Sequence, residues 1–286
     1  MKTLRELISE ASTNKKAIGH FNTSNLEGLW AIFEAARELD LPVVVGTSEG
    51  EEEFIGTEIA AACVRTIRET YNYPIFLNAD HHYTFESVKK SIDAGYDSVI
   101  LDGAKLPLEE NIALTKQCVE YARAQDRDII VEGELGYIGT SSKVLDGVPE
   151  GVELDQLTTP EEAKRFVEET GVDCLAPAVG NIHGMFKGGA DPRLNIERIR
   201  AIHDAINIPL VLHGGSGNDA DFDQAIEAGM SIVHVNTELR VAFTAGLRDF
   251  LANNPDETAP YKFMKPAREA MKAKVIEKLK MFARMN

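Results

Sequence analysis

Residues 75–102 read IFLNADHHYTFESVKKSIDAGYDSVILD, and this stretch decides the fold class. A short β-rich run, Ile75–Asn78, gives way to a segment with apolar residues at helical spacing that stops at Asp93-Ala94-Gly95. A second β-rich run, Ser98–Leu101, follows at once. Strand, helix and strand in so short a span form a parallel βαβ unit.

The same alternation continues in both directions. Upstream, Ala17–Phe21 and Pro42–Gly46 flank the helical pattern LEGLWAIFEAARELD. Downstream, Asp128–Glu132, Cys174–Val179, Pro209–Leu212 and Ser231–Val235 are separated by LEENIALTKQCVEYARAQ, TPEEAKRFVEETG and LNIERIRAIHDAI, then DFDQAIEAG. Thr159-Pro160-Glu161-Glu162 is an ordinary helix start, with acids where the helix dipole favours them. Eight such strands predict a single (β/α)8 (TIM) barrel over residues 1–286, with an open doubly wound sheet as the main alternative. The stretch KFMKPAREAMKAKVIEKLKMFARM predicts one more amphipathic helix beyond the eighth unit, suited to pack on the barrel or on another subunit.

Composition narrows the function. The chain has 286 residues, and 30 basic against 46 acidic side chains give a formal net charge of −16. That surplus repels phosphate backbones and anionic lipid, so neither nucleic acid nor membrane is expected as a partner. No window approaches the ~20 apolar residues of a spanning helix, and the opening MKTLRELISEASTNKKAIGHFN lacks a signal peptide's apolar core. A cytoplasmic location is expected. Cys63, Cys118 and Cys174 are far apart and odd in number, which suits buried thiols better than disulfides or a cysteine zinc site.

In such a barrel the chemistry collects at the C-terminal ends of the strands. Read in order, those positions offer Asn22, Thr47-Ser48, Asp80-His81-His82, Asp102, Glu132 and Glu134, His183, His213-Gly214-Gly215-Ser216, and Asn236-Thr237. A lone histidine there is ordinarily a cap or a core residue. Closure of the barrel, however, brings His81, His183 and His213 together, and three imidazoles with an open position suit a catalytic Zn2+. His82 is expected to point away and pack, with His20 and His203 structural.

Asp80, beside His81, suits a general acid/base, or simply a helix cap. Asp102 and Glu134 suit a second or exchangeable divalent ion, the orientation of the histidines, or a solvated surface. Glu132 lies deeper. LHGGSG offers backbone N–H groups to a phosphate, helped by GNIHGMFKGG around His183, by Asn236-Thr237 and by the charge of Lys187. An ordinary turn is the plain alternative.

The motifs ADHHYTF, ILDG, VEGELG, VGNIHG, LVLHGGSG and VNTE, in that order, resemble those of class II, metal-dependent ketose-bisphosphate aldolases, the fructose- and tagatose-bisphosphate aldolase family. The likeness runs from GHFNTSNLE to KPAREAM, nearly the whole chain. It implies zinc held by His81, His183 and His213, a ketose carbonyl polarised by that metal, and Asp80 moving the hydroxyl proton across the scissile C–C bond. It also implies a second metal position at Asp102 and Glu134. Triose phosphate would lie against Gly184, Gly214 to Ser216, and the segment up to Thr237, with Asn22 and His234 also at the substrate.

Some positions depart from the family's pattern. His234 stands where the family usually has Asn, and Ala104-Lys105 replaces a common Ser-His. The loop YIGTSSKVLDGVPEGVE has Ser142 near the place of a family glutamate, leaving Glu150 or Glu153 as candidates for its role. DETAPYKF replaces the usual DPRKY, so the contact to a second phosphate is unassigned. The resulting expectation is a zinc aldolase acting on a ketose bisphosphate, with fructose 1,6-bisphosphate first and tagatose 1,6-bisphosphate its rival, and triose phosphates as products. A homodimer or homotetramer is expected. A metal-dependent hydrolase and a non-catalytic phospho-sugar sensor are the readings from other classes. A Schiff-base aldolase is disfavoured because Lys105 and Lys187 lie in loops rather than at strand ends.

Overall fold

A computed structural model describes residues 1–140, 142–187 and 191–285. Its strands are β1 (Ile18–Asn22), β2 (Val43–Ser48), β3 (Ile75–His82), β4 (Ser98–Leu101), β5 (Ile130–Leu135), β6 (Val144–Leu145), β7 (Cys174–Pro177), β8 (Met185–Phe186), β9 (Leu210–Leu212) and β10 (Met230–Val235). Apart from the separate β6–β8 pair, the strands run parallel and close into an eight-stranded barrel, as the alternation predicts. β6 and β8 pair with each other and tie the loop after β5 to the loop carrying His183.

The helices are α1 (Leu4–Thr13), α2 (Leu26–Leu39), α3 (Glu49–Ile55), α4 (Thr57–Tyr71), α5 (Phe85–Ala94), α6 (Leu108–Arg123), α7 (Pro160–Thr170), α8 (Ile196–Ile206), α9 (Phe222–Ala228), α10 (Thr237–Asn253) and α11 (Pro260–Phe282). The sequence reading omits α1, α3, α4 and α10. A capping signal was present for α1, where Thr3 and Glu6 form a capping box, and for α3, where Ser48 and Glu51 do the same. Among the described residues no helix is long and apolar enough to cross a membrane.

Side chains alternate across each barrel strand, so every second residue enters the lumen. At the N-terminal end Ile18, Val44, Phe76, Ile130, Val211 and Ile232 form a buried apolar layer. Leu4 and Ile8 of α1 close it from below. Two residues further along, the same strands turn polar: Ile18 is followed by His20 and Asn22, Phe76 by Asn78 and Asp80, and Ile130 by Glu132 and Glu134. α11 packs on α2 and α10. Its fully buried Lys278 donates to Glu238 Oε1 at 2.8 Å and also pairs with Asp219, fixing the start of α10 and the loop after β9.

Candidate active site

Strand alternation alone would put Asp80 and His81 on opposite sides of the barrel wall. Instead the β3–β4 register shifts between Ala79 and His82, and His81 has a left-handed φ of 52°. A bulge of this kind re-aims a side chain at some cost in backbone strain, and here it turns both residues into the lumen. Asp80, His81 and His82 therefore lie inside β3 rather than after it. His82 faces outward as expected: its Nε2 lies 3.3 Å from Glu52 Oε1 and from Ser91 Oγ.

His81, His183 and His213 converge, with one nitrogen of each within 4.8 Å of the others. His81 Nε2 and His213 Nδ1 are 3.0 Å apart. The outer nitrogens have acceptors. His81 Nδ1 faces Asp102 Oδ2 at 3.1 Å, His183 Nδ1 faces the Gly139 carbonyl at 2.5 Å, and His213 Nε2 faces Glu132 Oε1 at 2.7 Å. An N–H donated outward from each ring leaves an inward lone pair, the tautomer that metal ligation requires. Glu134 Oε2 adds a carboxylate 3.2 Å from His81 Nδ1.

The electrostatics point the same way. Burial alone disfavours a charged His81, yet Asp80, Glu134 and Asp102 reverse this and hold its proton affinity well above that of an ordinary imidazole. A field that attracts a proton so strongly also attracts a divalent cation. Burial, followed by repulsion from Asp102, pushes Glu134 up to about 7. Burial with Glu134 and Asp80 nearby raises Glu132 well above the carboxylate range. Burial first, then His81, lowers His183 to about 4, so its ring is neutral near pH 7. Buried atoms without a hydrogen-bond partner among the described residues include Asp80 Oδ1, Glu134 Oε2, His234 Nδ1 and Asn236 Oδ1. A buried polar atom left unsatisfied costs roughly 1–3 kcal/mol, and of these Asp80 Oδ1 and His234 Nδ1 lie 3.3 Å apart. The donor set thus fits a divalent metal.

Asp80 is held from the side. Asn22 Nδ2 donates to its Oδ2 at 2.8 Å, while Oδ1 lies 3.3 Å from His234 Nδ1 and 3.7 Å from His81 Nε2. Burial would raise its pKa, but the neighbouring His81, His234 and His20 bring it well below the ordinary value, so it is ionised. His234 is sandwiched, with its ring 3.5 Å from that of His20 and 4.2 Å from that of His213. His20 therefore belongs to the wall of the site rather than standing apart from it. Gly46 makes that possible: a Cβ there would come within 2.2 Å of His20 Cε1.

A cavity of about 300 Å³ opens over these groups, with Asp80, His81, His183, Ser142, Asn236 and Arg240 among its lining. Glu153 borders a different cavity with Tyr137 and Gln156, and Glu150 is exposed. Neither Gly184 nor Lys187 lines the cavity among the described residues; Lys187 is exposed just beyond β8, and Gly188 and Gly189 of the GNIHGMFKGG run lie outside the described residues. In the glycine turn, Gly215 N–H is engaged by the His234 carbonyl at 3.0 Å and Gly217 N–H by Glu238 Oε1 at 2.8 Å. The N–H groups of Gly214 and Ser216 have no partner among the described residues. Thr237 is buried at the start of α10, with Asn236 as its N-cap.

Sequence reasoning missed Glu51 and Arg240. Both sit on helices it left unread, and the charge run EGEEEF resembles a solvated surface. Glu51 is nonetheless buried, accepting from Ser48, Asn22 and Arg240.

The sequence matches the family described as "Fructose-bisphosphate aldolase class-II" over residues 2–286. It is 41% identical over 284 residues to the fructose-bisphosphate aldolase of Geobacillus stearothermophilus, covering 98% of this chain and 96% of that protein. It is 39% identical over 288 residues to a protein of Bacillus subtilis strain 168 named "Probable fructose-bisphosphate aldolase", covering 99% and 98%. Among solved structures, the YdjI aldolase from Escherichia coli K12 superposes with a TM-score of 0.81 at 30% identity, covering 98% of this chain and 96% of that one. With a match from end to end and relatives near 40% identity, the chain belongs to the class II fructose-bisphosphate aldolases, a family of metal-dependent carbon–carbon lyases.

Proposed function

We propose that this protein cleaves fructose 1,6-bisphosphate reversibly to dihydroxyacetone phosphate and glyceraldehyde 3-phosphate, using zinc held by His81, His183 and His213. The observation that carries the proposal is the convergence of three imidazoles whose outer nitrogens all have acceptors, with an ionised Asp80 beside them. Bound there, zinc would supply Lewis acidity toward the ketose carbonyl.

The remaining work falls to this chain's own groups. Asp80, clamped through Oδ2 by Asn22, keeps Oδ1 free to take the proton of the hydroxyl across the scissile bond. In the condensation direction it returns that proton. Asp102, Glu132 and the Gly139 carbonyl fix the ring orientations, as partners behind metal-binding histidines do. The Asp102 contact to His81 Nδ1 favours an orienting role for Asp102, while Asp102 and the Glu134 oxygen without a partner among the described residues are assigned as the place for a second or exchangeable ion. The N–H groups of Gly214 and Ser216, without a partner among the described residues, the first turn of α10 with Thr237, and the side chain of Asn236 are assigned to the triose phosphate. His234 borders the same half of the substrate. Gly184 shapes the turn after His183 with a φ of 98°, and Gly215 supports the phosphate turn by close packing on His234. Lys187 would add charge from the loop.

Cleavage of fructose and tagatose 1,6-bisphosphates by EDTA-treated protein, with and without zinc, tests this reading. Zinc-restored cleavage with fructose 1,6-bisphosphate preferred is the expected result. Chelator-resistant turnover, or zinc-dependent phosphate release without C–C cleavage, would overturn it. The same reading carries a cytoplasmic homodimer or homotetramer, which light scattering on the purified protein checks.

A further inference from the structure

We infer that Glu52 is a positioning residue of the metal site: by capturing His82 on the outside of the barrel, it decides which of two adjacent histidines faces the lumen. This rests on the reading of His81, His183 and His213 as the zinc site and adds what holds His81 in it. From Ala79 to His82, β3 advances three residues while its partner β4 advances two, from Val99 to Leu101, so β3 carries one extra residue there. Paired one for one, the strand would send Asp80 inward, His81 outward and His82 inward. His81 and His82 have the same side chain, so their own chemistry does not choose between the two arrangements. The observed one also holds His81 at a left-handed φ of 52°, a conformation that persists only where the surroundings over-determine it.

Those surroundings lie behind the strand. His82 is buried, with Nε2 3.3 Å from Glu52 Oε1 and its backbone carbonyl accepting from Asp102 N–H at 2.8 Å. Glu52 is buried as well and gathers donors from three further elements: Thr57 Oγ1 of α4 at 2.9 Å, Ser91 Oγ of α5 at 3.2 Å and Thr47 Oγ1 of β2 at 3.4 Å. Among the described residues the only basic side chain within salt-bridge distance of Glu52 is His82. A buried carboxylate with no lysine or arginine beside it costs stability that an apolar residue would not, and what it offers here is a fixed acceptor for an imidazole N–H. The neighbouring Glu51 acts on the other side of His81. Its Oε2 accepts from Asn22 Nδ2 at 3.0 Å, and the same nitrogen donates to Asp80 Oδ2 at 2.8 Å. Two adjacent glutamates of α3 thus fix the residues flanking His81, Asp80 inward and His82 outward, and His81 is left to turn into the lumen.

The competing role for Glu52 is that of a brace between α3, α4 and α5 with no influence on His81. The two roles separate in zinc affinity, measured by competition with a chelator and set against the melting temperature of the metal-free protein. Glu52→Leu is expected to weaken zinc binding by about 10- to 100-fold with that melting temperature kept, and Glu52→Gln, which retains an acceptor oxygen, to fall between it and the wild type. Unchanged zinc affinity in Glu52→Leu would overturn the inference; should that variant not fold, unchanged affinity in Glu52→Gln would do so. A crystal structure of metal-free Glu52→Leu gives a readout independent of zinc. His81 is expected to leave the left-handed region with its imidazole no longer directed into the lumen, and a bulge kept as it is would overturn the inference. A wild type that keeps the bulge but binds no zinc would sink the zinc reading alone.

Discussion

The two ends of the barrel lumen are built from the same strands and obey opposite rules. At the N-terminal end Phe76, Ile130 and Ile232 fill space, have no polar atoms to satisfy, and are plugged by α1. Two to four residues further along, Asp80, Glu132 and His234 crowd charge and imidazole into a layer where several polar atoms have no partner among the described residues. The apolar end stabilises the fold and the polar end costs stability, a cost that a bound ion and substrate offset. Function is concentrated where the local rules of packing are broken.

Substitutions at each level should separate the two contributions. Asp80→Asn is the largest expected effect: turnover should fall by about 10²–10⁴-fold, with zinc content and melting temperature retained. Loss of zinc along with activity would instead make Asp80 a ligand. At the opposite end, Phe76→Ala should cost about 3–5 kcal/mol of stability in denaturant unfolding while the folded protein keeps its zinc. A variant that unfolds normally but loses metal would break the division between the ends.

Between the layers, Gly46→Ala forces a methyl group against His20, and overpacking of this kind costs about 1–3 kcal/mol. Because His20 stacks on His234 and His234 on His213, the strain should also reach the site, raising KM as well as lowering stability. An effect on stability alone would show that the stack does not transmit it. A further effect is one of pH. Glu134 is raised to about 7 and His81 is raised well above an ordinary imidazole, so both hold protons below those values. Zinc must displace these protons; its affinity should therefore rise with pH, by up to about tenfold per unit for each proton still held, with the Glu134 share levelling off above about pH 7. A flat profile in zinc titrations would mean that neither proton is in the way.

Much of this was legible in the sequence, for physical reasons that also mark where reading failed. The eight strands and most helices follow from period and capping, and the convergence of His81, His183 and His213 follows from their placement at one end of the strands. The bulge at His81 does not follow. Nothing in ADHH says that two consecutive residues will face the same side, because that depends on a register shift against β4. His20 was visible in principle, since it alternates with Ile18 and Asn22 on β1, but a histidine inside a strand reads as core. Glu51 was hidden in an acidic run whose capping box with Ser48 was its one signal. Arg240 lay on a helix with no strong amphipathic pattern, so its place at the cavity emerges only in three dimensions.

The most direct test of the central claim is zinc K-edge X-ray absorption on the zinc-loaded protein. Three imidazole nitrogens at about 2.0–2.1 Å with one or two oxygen scatterers are predicted, and His183→Ala should remove one imidazole or the metal itself. A shell of oxygens alone, sulfur scattering, or an unaltered spectrum in His183→Ala would contradict the account.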